Sequence, residues 1–159
     1  MIKDNEINSY NIADFFLTKS EFTPKKIQKL VYYAYSWFIA LNNQSADQII
    51  NVLFDEVPEA WIHGPVFPSL YAKFKSYNWN EVPRISKDII FENDDLMSFL
   101  NDVWNKFGMY SADELEYMTH QELPWLNARK NISSSESSNN KINLKDIFIY
   151  YNEMSSKTN

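Results

Sequence analysis

Hydrophobic side chains recur at helical spacing through residues 23–42, where they form one continuous stripe. The stripe consists of Ile27, Leu30, Val31, Ala34, Trp37, Phe38 and Leu41. Thr23 and Pro24 suit the N-cap and the first helical position. Tyr32 and Tyr33 extend the apolar surface, and a helix that is apolar nearly all round is usually buried in a core. We therefore predict a central buried helix over residues 23–42.

Shorter amphipathic patterns predict further helices, each beginning at a capping residue or a proline. The predicted starts are Asn11, Pro68, Asn93 or Asp94, Ser111, Pro124 and Asn143. One of these helices should cover residues 112–118, followed by a turn over residues 119–123. Residues 52–67 differ, because their prolines and the Gly64-Pro65 pair favour a short irregular or extended segment. The fold class predicted is mainly α, with six to seven helices in one compact domain.

The two ends of the chain and one internal stretch lack a hydrophobic pattern. Residues 1–10 should form a flexible N-terminus, and residues 154–159 a disordered tail. Residues 131–140 are rich in Ser and Asn, and we expect a flexible loop because they cannot bury enough apolar surface to offset the entropy of ordering. The single domain should therefore occupy residues 11–153.

Composition is consistent with one ordinary domain of 159 residues, since 45% of them are hydrophobic. The chain has no cysteine, which excludes a disulfide framework, a thiolate metal site and a cysteine nucleophile. Residues 1–10 carry no apolar signal core, and no apolar run is long enough to span a bilayer. We expect a soluble cytoplasmic protein without a membrane partner.

The formal net charge of −6 argues against nucleic acid as a partner, since nucleic-acid binders normally carry a basic patch. Only two glycines are present, which excludes a glycine-rich phosphate loop. Aromatic residues make up 16% of the chain, and Tyr and Trp often anchor protein interfaces. Lys25, Lys26 and Lys29 oppose the dipole of the central helix. Either Glu21 offsets their charge, which we favour, or they face an acidic partner.

The two histidines, His63 and His120, are the main candidates for site chemistry. A metal site would combine them with Glu122, Asp55 or Glu56, because two histidines and a carboxylate form known sites. However, their spacing matches no local metal motif, and we favour the interpretation that each histidine makes an ordinary hydrogen bond in a turn or in the core. We expect no catalytic set, no metal and no other cofactor.

Three segments carry motifs that are more specific than composition. They read KKIQKLVYYAYSWFIAL (25–41), LFDEVPEAWIHGPVFPSLYAKFKSY (53–77) and YSADELEYMTHQELPWLNARK (110–130). In this order they resemble the Panacea domain of SocA-like antitoxins, a family that includes phage-associated GepA-like proteins. The matching positions include Lys29, Tyr32, Tyr33, Trp61, Gly64, Pro65, Pro68, Tyr71, His120, Glu122, Trp125 and Arg129. The resemblance covers nearly the whole chain.

The resemblance implies a bacterial or prophage-encoded antitoxin that neutralises a cognate toxin from a neighbouring gene by direct protein–protein binding. One alternative is a proteolytic adaptor that delivers the toxin to a protease. Another is an enzyme that uses His63, His120 and Glu122 on a toxin or small ligand. A DNA-binding autorepressor is disfavoured by the acidic charge. The expected partner is thus a protein toxin. A protease and a second copy of the chain (a homo-oligomer) are alternative partners.

The resemblance also suggests where a partner would bind. Residues 59–71 and 119–129 should pack against each other around a shared cleft. The candidate partner-binding or cleft residues are Trp61, His63, Tyr71, His120, Glu122, Trp125 and Arg129. Gly64, Pro65 and Pro68 should set the backbone path, with Tyr32 and Tyr33 as structural positions. Whether the cleft contacts the toxin or supports the fold is left open at this point.

Overall fold

The longest helix in the computed structural model, which describes residues 1–157, begins and ends where the hydrophobic pattern predicts. This helix, α2, spans Pro24–Asn42. The side chain of Thr23 accepts a hydrogen bond from the backbone N–H of Lys26 at 3.3 Å, which satisfies one free donor of the first turn. Most of α2 is buried, Tyr32 and Tyr33 included, so the predicted central helix is confirmed.

Six more helices and one β-hairpin surround α2 in the described chain. They are α1 (Ser9–Leu17), β1 (Glu59–Trp61), β2 (Gly64–Val66), α3 (Pro68–Phe74), α4 (Asp94–Phe107), α5 (Ala112–His120), α6 (Leu123–Ala128) and α7 (Leu144–Lys157). α2 packs against α1, α4, α5, α7 and the hairpin. Seven α-helices in the described chain, six of them around the central α2, confirm the mainly α class. None of the helices within residues 1–157 combines the length and hydropathy needed to cross a membrane.

Helix starts follow the capping residues that the sequence indicates, with one exception. The side chain of Asn93 caps α4, and Ser111 forms a reciprocal capping box with Glu114 at α5. α1 begins three residues earlier than predicted from Asn11. Its N-cap is Asn8, and the two asparagine side chains bond each other's backbone N–H at 3.0 Å.

α5 continues through His120, two residues beyond the predicted end of the helix. The sequence predicts that Thr119 opens the following turn, but its hydroxyl donates back to the carbonyl of Glu116 at 2.8 Å. The side chain is fully buried, so it faces the core rather than capping a new helix. α6 then begins at Leu123, one residue before the predicted start at Pro124, which lies in its first turn.

Residues 52–67 contain the predicted extended segment. β1 and β2 pair antiparallel, with Glu59 opposite Val66 and Trp61 opposite Gly64. Gly64 has φ +107°, a conformation that side chains rarely adopt. A Cβ at this position would lie 2.4 Å from Cε of Lys29 on α2. The glycine therefore lets the hairpin approach the central helix.

The N-terminal residues are hydrogen-bonded to the domain, whereas the sequence predicts a flexible segment over residues 1–10. Ile2 pairs with the segment before α4: its N–H donates to Ile90 O, and its carbonyl accepts from Glu92 N–H, both at 2.8 Å. Residues Asp4–Glu6 form a 3-10 turn, and α1 follows from Ser9. These backbone bonds form because residue 2 lies beside the chain at Phe91, a contact that no local pattern reveals.

Residues 154–157 belong to α7, whereas the sequence predicts a disordered tail from residue 154. Glu153 and Lys157 form an ion pair at 3.6 Å, and this i,i+4 order supports a helix. The rest of the predicted tail, residues 158–159, lies outside the described residues. Residues 131–140 contain no helix or strand, and their flexibility stays a prediction.

Candidate functional site

The two motif segments, residues 59–71 and 119–129, pack against each other. The indole N–H of Trp125 donates to the carbonyl of Trp61 at 2.9 Å. The Arg129 guanidinium donates to the carbonyl of Ala60, also at 2.9 Å, and lies 5.0 Å from the Trp125 ring centre. Trp125 and Arg129 are each only 4% exposed. Both buried side chains therefore support the hairpin from the interior of the domain.

Arg129 also holds the loop that follows α6. Its second terminal nitrogen donates to the backbone carbonyls of Ser133 and Glu136. One buried guanidinium thus joins β1 to the Ser- and Asn-rich loop. An arginine suits this role because its fork presents several donors in a fixed plane.

Glu122 is half-buried in a polar cluster between α2 and α7. Its carboxylate accepts hydrogen bonds from Tyr33 at 3.1 Å and from Tyr151 at 2.6 Å. Burial raises the pKa of Glu122 to about 7, and the two tyrosine hydrogen bonds oppose that rise. Burial also raises the pKa of both tyrosines. Tyr32 completes the cluster, with its hydroxyl oxygen 3.4 Å from that of Tyr151.

The two histidines have separate environments. His120 stacks on Trp125 with a 4.0 Å centroid distance, and burial lowers its pKa. His63 is exposed at the hairpin turn, where its Nδ1 lies 3.2 Å from a carboxylate oxygen of Glu116. In the described part of the chain, no three His, Cys, Asp or Glu side chains are grouped as metal ligands would be.

An open cavity of about 360 Å³ lies between the start of α2, the hairpin and the segment from α3 to residue 79. Three aromatic side chains line it, Trp61, Tyr71 and Trp79, and we call the cavity the aromatic pocket. The rings of Trp61 and Tyr71 meet edge to face at 4.8 Å. Tyr71 is 48% exposed and Trp79 is 75% exposed. Solvent-exposed aromatic rings of this size are candidates for partner contact.

The cleft residues predicted from the sequence are thus divided between the pocket and the core. Trp61, His63 and Tyr71 line the aromatic pocket, and the rest of the predicted set lies outside its lining. The other lining residues, Lys75 and Trp79 among them, belong to no predicted site. Trp79 stands alone among polar neighbours in the sequence, and such an isolated tryptophan is the one signal that could have indicated it.

Lys29 forms part of the inner wall of the pocket and is only 1% exposed. Its ammonium group donates to the carbonyl of Pro65 at 3.2 Å. Burial lowers the pKa of Lys29 to about 7, the nearby charge of Lys25 lowers it further, and Glu116 opposes the change. The missing side chain of Gly64 makes room for this lysine.

Gln28, beside Lys29, fixes the end of the hairpin against α2. Its side-chain amide donates to the carbonyl of Phe67 at 3.1 Å and accepts from the N–H of Phe67 at 2.9 Å. Both groups are buried, so each would be costly to leave unpaired. The inner wall of the pocket is therefore held by two adjacent polar residues of α2.

The other two lysines of α2 contact α4 and α5 rather than Glu21. Lys25 bonds Asp113 at 2.6 Å and Glu116 at 2.7 Å, and these acids raise its pKa although burial alone would lower it. Lys26 donates to the carbonyl of Gly108 at 2.7 Å. The expectation that Glu21 offsets the lysines is thus replaced by contacts with α5 and with the end of α4.

A family model described as Antitoxin SocA-like, Panacea domain, matches residues 27–126. The match covers 100 of the 159 residues. The chain belongs to the SocA-like antitoxin, Panacea domain family. This confirms the resemblance found in the three sequence segments, and the family name suggests the role of an antitoxin in a toxin–antitoxin system. No curated protein and no solved structure matches the chain.

The matched region of this SocA-like domain contains most of the pocket lining. It includes Lys29, the hairpin, α3 and Trp79, while Lys25 lies two residues before its start. Arg129 and α7 follow its end. In this member of the family, Trp125, Arg129 and Glu122 bond other parts of the chain, whereas the pocket presents its aromatic rings to solvent.

Proposed function

We propose that this protein is an antitoxin that neutralises a cognate toxin by direct protein–protein binding, without enzymatic chemistry of its own. The observation that carries the proposal is the family match over residues 27–126. The toxin is a protein encoded by a neighbouring gene, on a bacterial chromosome or a prophage. Because the two gene products would meet where they are made, the proposed pair acts in the cytoplasm.

The exposed aromatic side chains of the pocket support a binding role. Trp and Tyr are enriched among the residues that contribute most to interface affinity, since each buries a large area at little entropic cost. Trp79 and Tyr71 expose such area in the free protein. Binding of a partner over them would remove apolar surface from water, which favours association.

The contacts of the candidate acid–base residues also favour binding over catalysis. Glu122 is bonded by two tyrosines in the core, and His120 is stacked on Trp125. His63 lies on the surface, where it contacts Glu116. Each of the three side chains therefore has a structural contact that accounts for its position.

Co-expression with the product of the neighbouring gene tests the proposal. We expect the neighbour alone to stop growth, and growth to recover when this chain is present. Affinity purification followed by size-exclusion chromatography should then recover a stable complex and its stoichiometry. Absence of toxicity from the neighbour, together with absence of a complex, would overturn the proposal.

Two other results would assign a different mechanism. Growth recovery with loss of the toxin, reversed in a strain lacking a protease, would identify a proteolytic adaptor. Growth recovery while intact toxin stays unbound would instead indicate an enzyme that modifies the toxin or a small ligand. Immunoblotting of toxin levels beside the pull-down separates these results from neutralisation by binding.

A further inference from the structure

The aromatic pocket has the size and the walls of a binding site. Its volume of about 360 Å³ falls in the range of known ligand pockets, which are apolar with a few polar groups. Trp61 and Tyr71 form one side, and Trp79 stands at the entrance with His63 6.4 Å from its ring. This shape suits a flat or branched apolar side chain inserted from outside.

The charge of the lining is opposite to that of the whole chain. The protein has a formal net charge of −6, yet the described lining contains three lysines, Lys25, Lys29 and Lys75, and no Asp or Glu. Such a local excess of positive charge favours an anionic occupant.

Acids from α5 satisfy only part of this positive charge. Asp113 and Glu116 bond Lys25, and Glu116 also contacts His63. Within residues 1–157, neither Lys29 nor Lys75 has a carboxylate oxygen within 4.0 Å of its amine. Two lysine amines of the lining are thus available to an incoming acid.

Lys29 has unused hydrogen-bonding capacity in a buried position. In its protonated form Lys29 has three N–H donors, and the structure gives it a single acceptor, Pro65 O. A buried ammonium is costly unless it is paired, and a carboxylate in the pocket would provide that pair. The pocket therefore has the shape of a binding site, and its buried lysine lacks a charged partner.

We propose that the aromatic pocket is the toxin-docking site and that it receives an acidic segment of the toxin. A carboxylate of that segment pairs with Lys29 and Lys75, and a neighbouring apolar or aromatic side chain packs between Trp61, Tyr71 and Trp79. The inference rests on the proposed function, since the toxin is the partner assumed. It assigns to Lys29, Lys75 and Trp79 a role that the sequence motifs did not.

Affinity measurements with exposed-residue variants test the docking site. Lys75→Glu and Trp79→Ala alter pocket residues that are exposed and make no buried contact, so both proteins should fold. Lys130→Glu and Tyr117→Ala are matched controls, equally exposed but outside the lining. By calorimetry with purified toxin, we expect the pocket variants to raise Kd at least tenfold and the controls to change it less than twofold.

A third variant addresses the buried amine. Lys29→Met keeps most of the length of the side chain and removes its charge, and an apolar residue often replaces a buried charge without loss of stability. We expect a folded protein with weaker toxin binding. Circular dichroism and thermal unfolding check the fold before affinity is compared.

Carbodiimide cross-linking gives a direct test that is independent of stability. The reagent joins a lysine amine to a carboxylate in contact with it, and peptide mass spectrometry then identifies the pair. We expect Lys75 to be linked to an Asp or Glu of the toxin. Links to the toxin that arise only from lysines outside the pocket would overturn the assignment.

The outcomes distinguish the docking site from the proposed function. If the wild-type protein binds the toxin and the three pocket variants bind equally well, the docking site is wrong while the antitoxin function stands. If the wild-type protein neither binds nor neutralises the toxin, both are wrong. Tenfold losses confined to the pocket variants, with the Lys75 cross-link, support both.

Discussion

Gly64 is the residue that most directly couples the hairpin to the central helix. Its φ of +107° is strained for any side chain, and an added Cβ would lie 2.4 Å from Lys29 and 3.0 Å from Thr119. We expect Gly64→Ala to lower the free energy of unfolding by at least about 1–3 kcal/mol from backbone strain alone. Urea denaturation measures the loss.

A double-mutant cycle separates the two causes of that loss. Lys29→Ala removes the atom that the new Cβ would meet but leaves the backbone conformation unchanged. We expect the Gly64→Ala penalty to be smaller in the Lys29→Ala background, yet not zero. An equal penalty in both backgrounds would show that the close approach to Lys29 is unimportant.

Glu122 should make stability depend on pH. Its pKa is about 7 in the folded protein, against 4.5 as the ordinary value, so the folded state holds the proton more tightly. Stability is then greatest below pH 4.5 and falls as pH rises to about 7, by up to about 3 kcal/mol.

Glu122→Gln should remove that fall, because an amide does not titrate. The measurement is the free energy of unfolding of both proteins at pH 5 and pH 7.5. Taking the difference between the two proteins cancels the contributions of other groups, His120 included. Identical slopes for wild type and Glu122→Gln would contradict the burial-driven rise in pKa.

Substitution of His120 tests the alternative that the protein is an enzyme. We expect His120→Ala to neutralise the toxin fully and to lose about 0.5–1.5 kcal/mol of stability through the missing stack on Trp125. Growth rescue and thermal unfolding provide the two measurements. Loss of rescue by a folded His120→Ala protein, or a stoichiometric transition metal in the wild type, would instead support enzymatic chemistry.

Among the elements, the helices with strong local signals could be predicted and the long-range pairings could not. α2 and α4 have an apolar stripe and a capping residue in the same stretch, so the local pattern determines both start and face. Thr119 resembles a helix cap in sequence, but its burial beside Gly64 turns it inward and lengthens α5. The pairing of Ile2 near Phe91 depends on residues far apart, which a local pattern does not encode.

The hydrogen bonds of Arg129 lead to a prediction about the loop after α6. The guanidinium bonds Ala60 on β1 and two carbonyls of residues 131–140, so it restrains the loop from one end. Hydrogen bonds to charged groups contribute about 1.5–3 kcal/mol each. We expect Arg129→Lys, which keeps the charge and loses the fork, to destabilise the domain by a few kcal/mol.

Hydrogen exchange shows whether that loss is local to the loop. Amides of residues 131–140 should exchange faster in Arg129→Lys than in wild type, with little change in α2. Lys130→Ala is the matched control, since this neighbouring side chain is exposed. Unchanged loop exchange in Arg129→Lys would mean that the guanidinium does not restrain it.

At the scale of the whole molecule, the sequence predicts which segments meet at the candidate site but not which of their side chains are buried. The motifs correctly placed residues 59–71 beside residues 119–129. The motifs do not show that Trp125 and Arg129 face inward while Tyr71 faces solvent. Aromatic and charged residues occur at both the buried and the exposed positions, so residue type does not distinguish them. The pocket also needs Lys29 from α2 and Trp79 from a turn, which only the tertiary fold brings together.

The distribution of charge over the molecule leads to a prediction about salt. The chain is acidic as a whole and its proposed docking pocket is basic, so the local attraction must act at short range. The Debye length falls from about 30 Å at 0.01 M salt to about 3 Å at 1 M, which screens exposed pairs most. Lys75 is exposed, and its pairing with an acidic segment should weaken as salt rises.

We therefore expect Kd for the toxin to rise several-fold between about 0.05 and 0.5 M NaCl in the wild type. Lys75→Gln should show a shallower dependence, because it removes one screened pair, whereas Lys130→Gln should keep the wild-type slope. Calorimetric titrations at four salt concentrations measure all three slopes. If Lys75→Gln and wild type have the same slope, Lys75 makes no charge pair with the toxin, and the aromatic side chains alone would account for docking.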